Sequence, residues 1–128
     1  HGLAVETAGS PLQAIAGADV VLCSARSRDE SPVLRGDWLE PGMTVVSIGS
    51  TLPEQREVDE QVIARAALVV ADMPEEIAHD TGDMIAATRA GVATPPSVSM
   101  IGREAARMRA ASRSTSAWAC PCTIANRL

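Results

Sequence analysis

The sequence predicts an α/β fold, a parallel sheet whose strands are joined by crossover helices. Short apolar runs rich in β-branched residues alternate with amphipathic segments, and this alternation is typical of βαβ units. The runs are continuous rather than alternating, which indicates strands buried on both faces. We therefore predict three adjacent parallel strands at Ala18–Ala25, Met43–Ser50 and Ala67–Asp72, and a shorter strand at Leu3–Val5.

The segments between these runs carry helix signals. Ser10 and Pro11 form an N-cap followed by proline at the first helical position, and Gly17 ends that helix. A crossover helix is predicted at Glu57–Arg65, with Asp59, Glu60 and Gln61 facing outward. Its apolar face has a four-residue spacing: Val58, Val62 and Ala66.

A third helical stretch is predicted at Glu75–Arg89, with a break at Gly82 and an end at Gly91. Asp80 and Asp83 flank that break, and both are predicted to lie on a solvated face. The composition changes from Gly91 onward, so we divide the chain into a domain at 1–91 and a divergent tail at 92–128.

Composition limits the classes of function. The chain has 128 residues and a net charge of -5, and an acidic chain without a basic run is a poor nucleic-acid binder. Its apolar runs are far shorter than the ~20 residues of a membrane span. Three cysteines are too few for a disulfide framework, and no signal peptide is visible, so we expect a cytoplasmic protein. The absence of an initial methionine suggests a fragment.

Candidate ligand-binding residues follow the predicted strands, because ligands of open α/β sheets bind beyond the carboxyl ends of the strands. A glycine there lets the backbone approach a flat ligand, and hydroxyl side chains supply hydrogen-bond donors. The same segments also fit ordinary strand-to-helix turns. The candidates after the first two long runs are Cys23, Ser24, Ala25, Gly49, Ser50 and Thr51, and Asp72–Pro74 follows the third.

Several familiar motifs are missing from these 128 residues. Neither G-x-G-x-x-G nor a Walker motif is present. Cys120 and Cys122 have no second ligand pair, so we expect no zinc site. His1 and His79, the two histidines, are interpreted as solvated surface residues.

An ordered set of short motifs resembles the ornithine cyclodeaminase/mu-crystallin family. Each piece is short, but they occur in the family's order between about residues 3 and 91. The set comprises Ala18-Asp19-Val20-Val21, Pro32 to Leu39, Pro41-Gly42, Ile48-Gly49-Ser50, Pro53, Arg56-Glu57-Val58-Asp59, Asp72 and Gly82-Asp83.

The resemblance implies the second half of a Rossmann domain, a partial Rossmann-like parallel sheet with crossover helices. It implies an NAD(P)-dependent oxidoreductase of amino or imino acid metabolism that forms a homodimer when intact. The segment Cys23–Ala25 takes the place of the family's Thr-Ala-Thr on the adenosine side, and Gly49–Ser50 that of the loop beside the nicotinamide. Because the chain lacks the family's phosphate loop, we expect it to bind NADH or NADPH weakly or not at all.

Thr51 occupies the position where ornithine cyclodeaminases carry an aspartate base. A threonine hydroxyl does not ionise at neutral pH, so the resemblance favours imine reductases or amino-acid dehydrogenases. Two alternatives stay open: an ornithine cyclodeaminase fragment, and a degenerate module without activity.

The tail departs from the family pattern. Back-translating Ser114–Thr123 and reading two bases later yields a string that resembles the family motif Val-Tyr-Lys-Ser-Val-Gly. We therefore infer a change of reading frame between Glu104 and Arg113, with a disordered tail of biased composition as the alternative. Either interpretation predicts that Trp118, Cys120 and Cys122 are exposed or loosely held.

Overall fold

The computed structural model describes residues 2–25, 29, 31–71, 73–93, 97–99 and 122–126. Its helices are α1 (Pro11–Ile15), α2 (Glu60–Arg65), α3 (Pro74–Asp80) and α4 (Gly82–Arg89), with a 3-10 turn at Gly36–Trp38. Its strands are β1 (Val20–Cys23), β2 (Thr44–Ser47), β3 (Ala66–Ala71), β4 (Ser97–Ser99) and β5 (Cys122–Asn126).

All the strand pairs in the sheet are parallel, and the strand order is β1-β2-β5-β3-β4. This confirms the predicted α/β class. The prediction that all three long runs are adjacent is wrong, because β5 lies between β2 and β3 and pairs with both. The chain from 122 to 126 therefore supplies a central strand, which corrects the expectation that Cys122 lies in a loosely held segment. Trp118 and Cys120 lie outside the described residues.

The local helix signals are confirmed at most positions. The Ser10 hydroxyl accepts a hydrogen bond from the Gln13 amide and caps α1. The break between α3 and α4 falls at Thr81, whose backbone is extended. The predicted Leu3–Val5 strand is wrong: these residues are exposed and belong to no strand.

The crossover helix α2 begins three residues later than predicted. Its N-cap is Asp59, whose carboxylate accepts hydrogen bonds from the Val62 amide and, across the connection, from the Gly36 amide. An N-cap carboxylate satisfies amides that the first helical turn leaves unpaired. Glu57, predicted as the first residue of this helix, lies before it and is fully buried.

The hydrophobic core lies on one face of the sheet. Val21, Val45 and Val69 point into it and pack with the apolar sides of α2, α3 and α4, through Val62, Ile77 and Met84 among others. The opposite face of β1 is open, with Val20 61% and Leu22 64% exposed. The prediction that β1 is buried on both faces is therefore wrong, because within the described part of the chain the core packs only against its other face.

Candidate functional site

The carboxyl ends of β1 and β2 bring the two predicted binding segments side by side. The Ile48 amide, directly after β2, donates to the Cys23 carbonyl at the end of β1 (3.1 Å). The Ala25 carbonyl lies beside Gly49, only 2.8 Å from where a Cβ on that glycine would stand. Cys23–Ala25 and Gly49–Thr51 therefore lie side by side at the carboxyl end of the sheet. Asp72, the first residue of the third predicted segment, lies outside the described residues.

A buried glutamate organises the loop after β2. Glu57 is 0% exposed, and its Oε2 accepts hydrogen bonds from the Ser47 hydroxyl (2.6 Å) and from the amides of Ile48 (3.1 Å) and Gly49 (2.8 Å). Burying a carboxylate is costly unless such donors compensate it. The carboxylate is therefore a fixed anchor under the turn that follows β2.

Gly49 is required by this anchor. A Cβ at that position would lie 2.5 Å from Glu57 Cδ and closer still to Oε1, so any side chain would overlap the carboxylate. The space left by the missing side chain is filled by the protein itself. This differs from the interpretation that Gly49 is needed for a flat ligand to approach the backbone.

The hydroxyl groups of the loop also have internal partners. The Ser50 hydroxyl is buried and donates to the Gln55 carbonyl (2.8 Å), while the amide and hydroxyl of Thr51 lie 3.2 Å and 3.0 Å from Gln55 Oε1. The hydrogen-bond donors that the sequence suggested for a ligand, those of Ser50 and Thr51, thus stabilise the conformation of the loop instead. A ligand at this edge would meet the outer side of the loop, where Ile48 and Leu52 are exposed.

A second buried carboxylate supports the first. Asp83, in the first turn of α4, is 2% exposed, and its Oδ1 accepts hydrogen bonds from the amides of Glu57 (2.9 Å) and Val58 (3.2 Å). The Arg56 guanidinium lies 3.3 Å from the same oxygen. The expectation that Asp83 is solvated is wrong, because its carboxylate holds the backbone next to Glu57, 26 residues earlier in the chain.

Burial changes the protonation of two groups at this end of the sheet. It raises the pKa of Asp83 to about 6, although the Glu57 and Val58 amides and Arg56 favour the charged form. It also raises the pKa of the Cys23 thiol to about 11, and the negative charges of Glu57 and Asp83 add to that effect. Cys23 is therefore a neutral thiol at physiological pH and not a ready nucleophile.

A cavity of about 330 Å³ lies between α2 and α4, and Arg56, Glu60 and Arg89 are among the residues that line it. Arg56 also donates to the Val58 carbonyl (3.1 Å) and to Glu60 (3.3 Å). Together with Asp83, these groups pair the Arg56 guanidinium with partners inside the protein. Sequence reasoning did not single out Arg56 or Glu57 as site residues, although both are in the motif Arg56-Glu57-Val58-Asp59 on which the family resemblance rests.

The comparisons with known proteins identify the family. The model of the ornithine cyclodeaminase/mu-crystallin family matches residues 1–110. The chain belongs to this family. The match ends inside the stretch Glu104–Arg113, where we inferred a change of reading frame, and that inference stays a prediction.

Known relatives are considerably longer than this chain. The mouse ketimine reductase mu-crystallin is 31% identical over 81 residues, 63% of this chain and 25% of the mouse protein. A probable ornithine cyclodeaminase from Bordetella pertussis has a TM-score of 0.70 at 29% identity, covering 94% of this chain and 36% of that one. A Thermococcus litoralis Δ1-pyrroline-2-carboxylate reductase, solved with NADH and L-proline, has a TM-score of 0.69 at 21% identity, covering 93% and 35%. This chain thus spans about a quarter of the mouse protein and about a third of the two solved chains.

Within the described part of the chain, no helix is long and apolar enough to cross a membrane.

Proposed function

We propose that this chain forms part of the cofactor site of an NAD(P)-dependent oxidoreductase that acts on an amino or imino acid. The observation that carries the proposal is the meeting of Cys23–Ala25 and Gly49–Thr51 at the carboxyl edge of a parallel sheet in a member of this family. Cofactors of open α/β folds lie at this edge.

The two segments fit different parts of a dinucleotide. Ser24 and Ala25 are small and exposed, and they would lie against the adenosine half. The loop Gly49–Thr51 would lie beside the nicotinamide, with its outer side facing the ring. The cofactor supplies the hydride when bound, and the role of these residues is to orient it. The 128 residues contain no G-x-G-x-x-G to hold the pyrophosphate, so the fit concerns the two ends of the cofactor only.

Thr51 supports a reductase or dehydrogenase over a cyclodeaminase. Its hydroxyl is paired with Gln55 Oε1 at 3.0 Å, and the group does not ionise at neutral pH, so it supplies no base for deamination. For the intact protein we propose a homodimer, a small amino or imino acid as substrate, and a cytoplasmic location.

A non-catalytic module is the second candidate. The observation in its favour is that the donors of the Gly49–Thr51 loop named above are bonded within the protein. The two candidates differ in whether this segment supports cofactor use in an otherwise complete enzyme.

A chimera tests the proposal. The matching segment of mouse ketimine reductase mu-crystallin is replaced by the residues of this chain that align with it. We expect a folded chimera that oxidises NADH or NADPH in the presence of a cyclic imine, at a reduced rate. Circular dichroism and thermal unfolding establish that it is folded. A folded chimera that does not bind the reduced cofactor would contradict the proposal and favour the non-catalytic module.

A further inference from the structure

Glu57 is held in place from several sides. Its carbonyl accepts hydrogen bonds from the amides of Val33 (2.8 Å) and Leu34 (2.9 Å), and its own amide donates to Asp83 Oδ1 (2.9 Å). The next residue, Val58, forms a parallel bridge with Leu34. The backbone that carries the carboxylate is therefore fixed by two separate parts of the chain.

The carboxylate transmits this fixed position to the loop. One oxygen, Oε2, accepts hydrogen bonds from Ser47 at the end of β2 and from the next two amides, those of Ile48 and Gly49. The Ile48 amide is shared with the Cys23 carbonyl (3.1 Å), so the orientation of the Gly49 amide depends most on this oxygen. Charged acceptors form stronger hydrogen bonds than neutral ones, so this constraint is a firm one.

The other oxygen, Oε1, is buried and accepts no hydrogen bond from any residue that the structure describes. It packs against Gly49, in the space that a side chain there would take. The carboxylate thus occupies the inner side of the loop and leaves the outer side free.

We propose that Glu57 is the positioning residue of the loop Ile48–Thr51, which it orients toward the nicotinamide without touching the cofactor. This inference rests on the proposed function. A glutamine at position 57 keeps an oxygen acceptor but not the charge, whereas an alanine has neither.

Amide hydrogen exchange followed by NMR on the 128-residue chain tests the anchor. In Glu57→Ala we expect the Gly49 amide to exchange about 100-fold faster, relative to Val45 and Val69 in the core strands. The Ile48 amide should accelerate less, because it keeps the Cys23 carbonyl as an acceptor. In Glu57→Gln the Gly49 amide should exchange about 10-fold faster and the Ile48 amide less so, because the neutral oxygen is a weaker acceptor. Glu60→Ala, which removes a nearby partly exposed carboxylate, is the matched control and should leave both amides unchanged.

Equal acceleration of the loop and the core strands would overturn the proposal, since it would show a structural role only. If Glu57→Ala does not fold, Glu57→Gln decides alone: a selective change at Ile48 and Gly49 supports the anchor, and a uniform change or none overturns it.

The mouse chimera separates the anchor from the proposed function, because it supplies the parts of the relative that this chain does not span. In the chimera we expect Glu57→Ala to raise the KM for the reduced cofactor about 10-fold, while circular dichroism shows that the variant is folded. An unchanged KM in a folded Glu57→Ala chimera would overturn the positioning role. A folded chimera that binds no reduced cofactor even with Glu57 present, with the exchange result as expected, would contradict the proposed function and leave Glu57 as an anchor of the loop.

Discussion

The two faces of the sheet are built from similar residues but have different surroundings. On the covered face, Val21, Val45 and Val69 lie in the core, and that face ends at Ser47 above the buried Glu57. On the open face, Val20 and Leu22 of β1 are largely exposed. An apolar run therefore indicates that a strand can be buried, but it does not show which of its faces is buried. Whether both faces are covered depends on the elements that pack on them.

The largest effect is expected at the carboxyl end of the covered face. Gly49→Ala should lower the free energy of unfolding by about 3 kcal/mol or more, because the new methyl group overlaps the Glu57 carboxylate. Gly42→Ala is the control: it meets no atom within 4 Å, and its φ of +89° should cost about 1 kcal/mol. Urea unfolding measures both.

The double variant Gly49→Ala/Glu57→Ala identifies the cause. If the overlap with Glu57 is the main cause, Gly49→Ala should cost less when Glu57 is already alanine. The remaining cost comes from the Ala25 carbonyl, which lies 2.8 Å from the new Cβ. Additive costs would contradict this explanation.

The pH dependence of stability tests the buried charge on the covered side. The pKa of Asp83 is raised from 3.8 to about 6 in the folded state, so the folded protein binds this proton more tightly than the unfolded chain does. The stabilising contribution is therefore complete below pH 4 and is lost as the pH rises to about 6, a change of about 3 kcal/mol.

Comparing the unfolding free energy of the unaltered chain and of Asp83→Asn between pH 4 and pH 7 isolates this contribution. From pH 4 to pH 7 the unaltered chain should lose about 3 kcal/mol of unfolding free energy relative to Asp83→Asn. Asp19→Asn, which alters an exposed carboxylate beside β1, should run parallel to the unaltered chain. A parallel curve for Asp83→Asn as well would show that Asp83 titrates normally.

Glu57 and Asp83 also mark where sequence reasoning fails. The alternation of apolar runs and amphipathic segments located β1, β2 and β3 and the crossover helix to within a few residues. It placed Glu57 inside that helix and Asp83 on a solvated face, because a charged residue beside a helical pattern usually faces water. The burial of Asp83 depends on hydrogen bonds from the amides of Glu57 and Val58, which lie 26 and 25 residues before it in the chain.

The position of β5 could not be predicted from the sequence for a related reason. Residues 122–126 show no apolar period, so a local signal for a strand is lacking. Their position depends on β2 and β3, which lie one strand apart, so that β5 pairs with both of them. The meeting of Cys23–Ala25 with Gly49–Thr51, in contrast, followed from the rule that parallel strands end at one edge.

A pair of valines on neighbouring strands compares the two faces directly. Val45→Ala, at a fully buried position of β2, should lower the free energy of unfolding by about 2 kcal/mol, because it removes two methyl groups from the core. Val20→Ala, on the open face of β1, should change it by less than about 0.5 kcal/mol. Equal losses in urea unfolding would show that the open face is covered in solution.

The smallest effect on stability, and a larger one on association, is expected at Leu22. This side chain is 64% exposed and lies beside Val20 on β1, the outermost strand on its side of the sheet among those the structure describes. The backbone of an edge strand adds to the tendency of such an apolar surface to associate. Leu22→Lys should leave the free energy of unfolding within about 0.5 kcal/mol, because the lysine head remains in water. The charge should weaken contacts between copies, so sedimentation velocity should show association of the unaltered chain with rising concentration and less of it for the variant. Identical sedimentation of the two would mean that the open face of β1 does not drive association, and a large loss of stability would mean that Leu22 packs against another part of the chain.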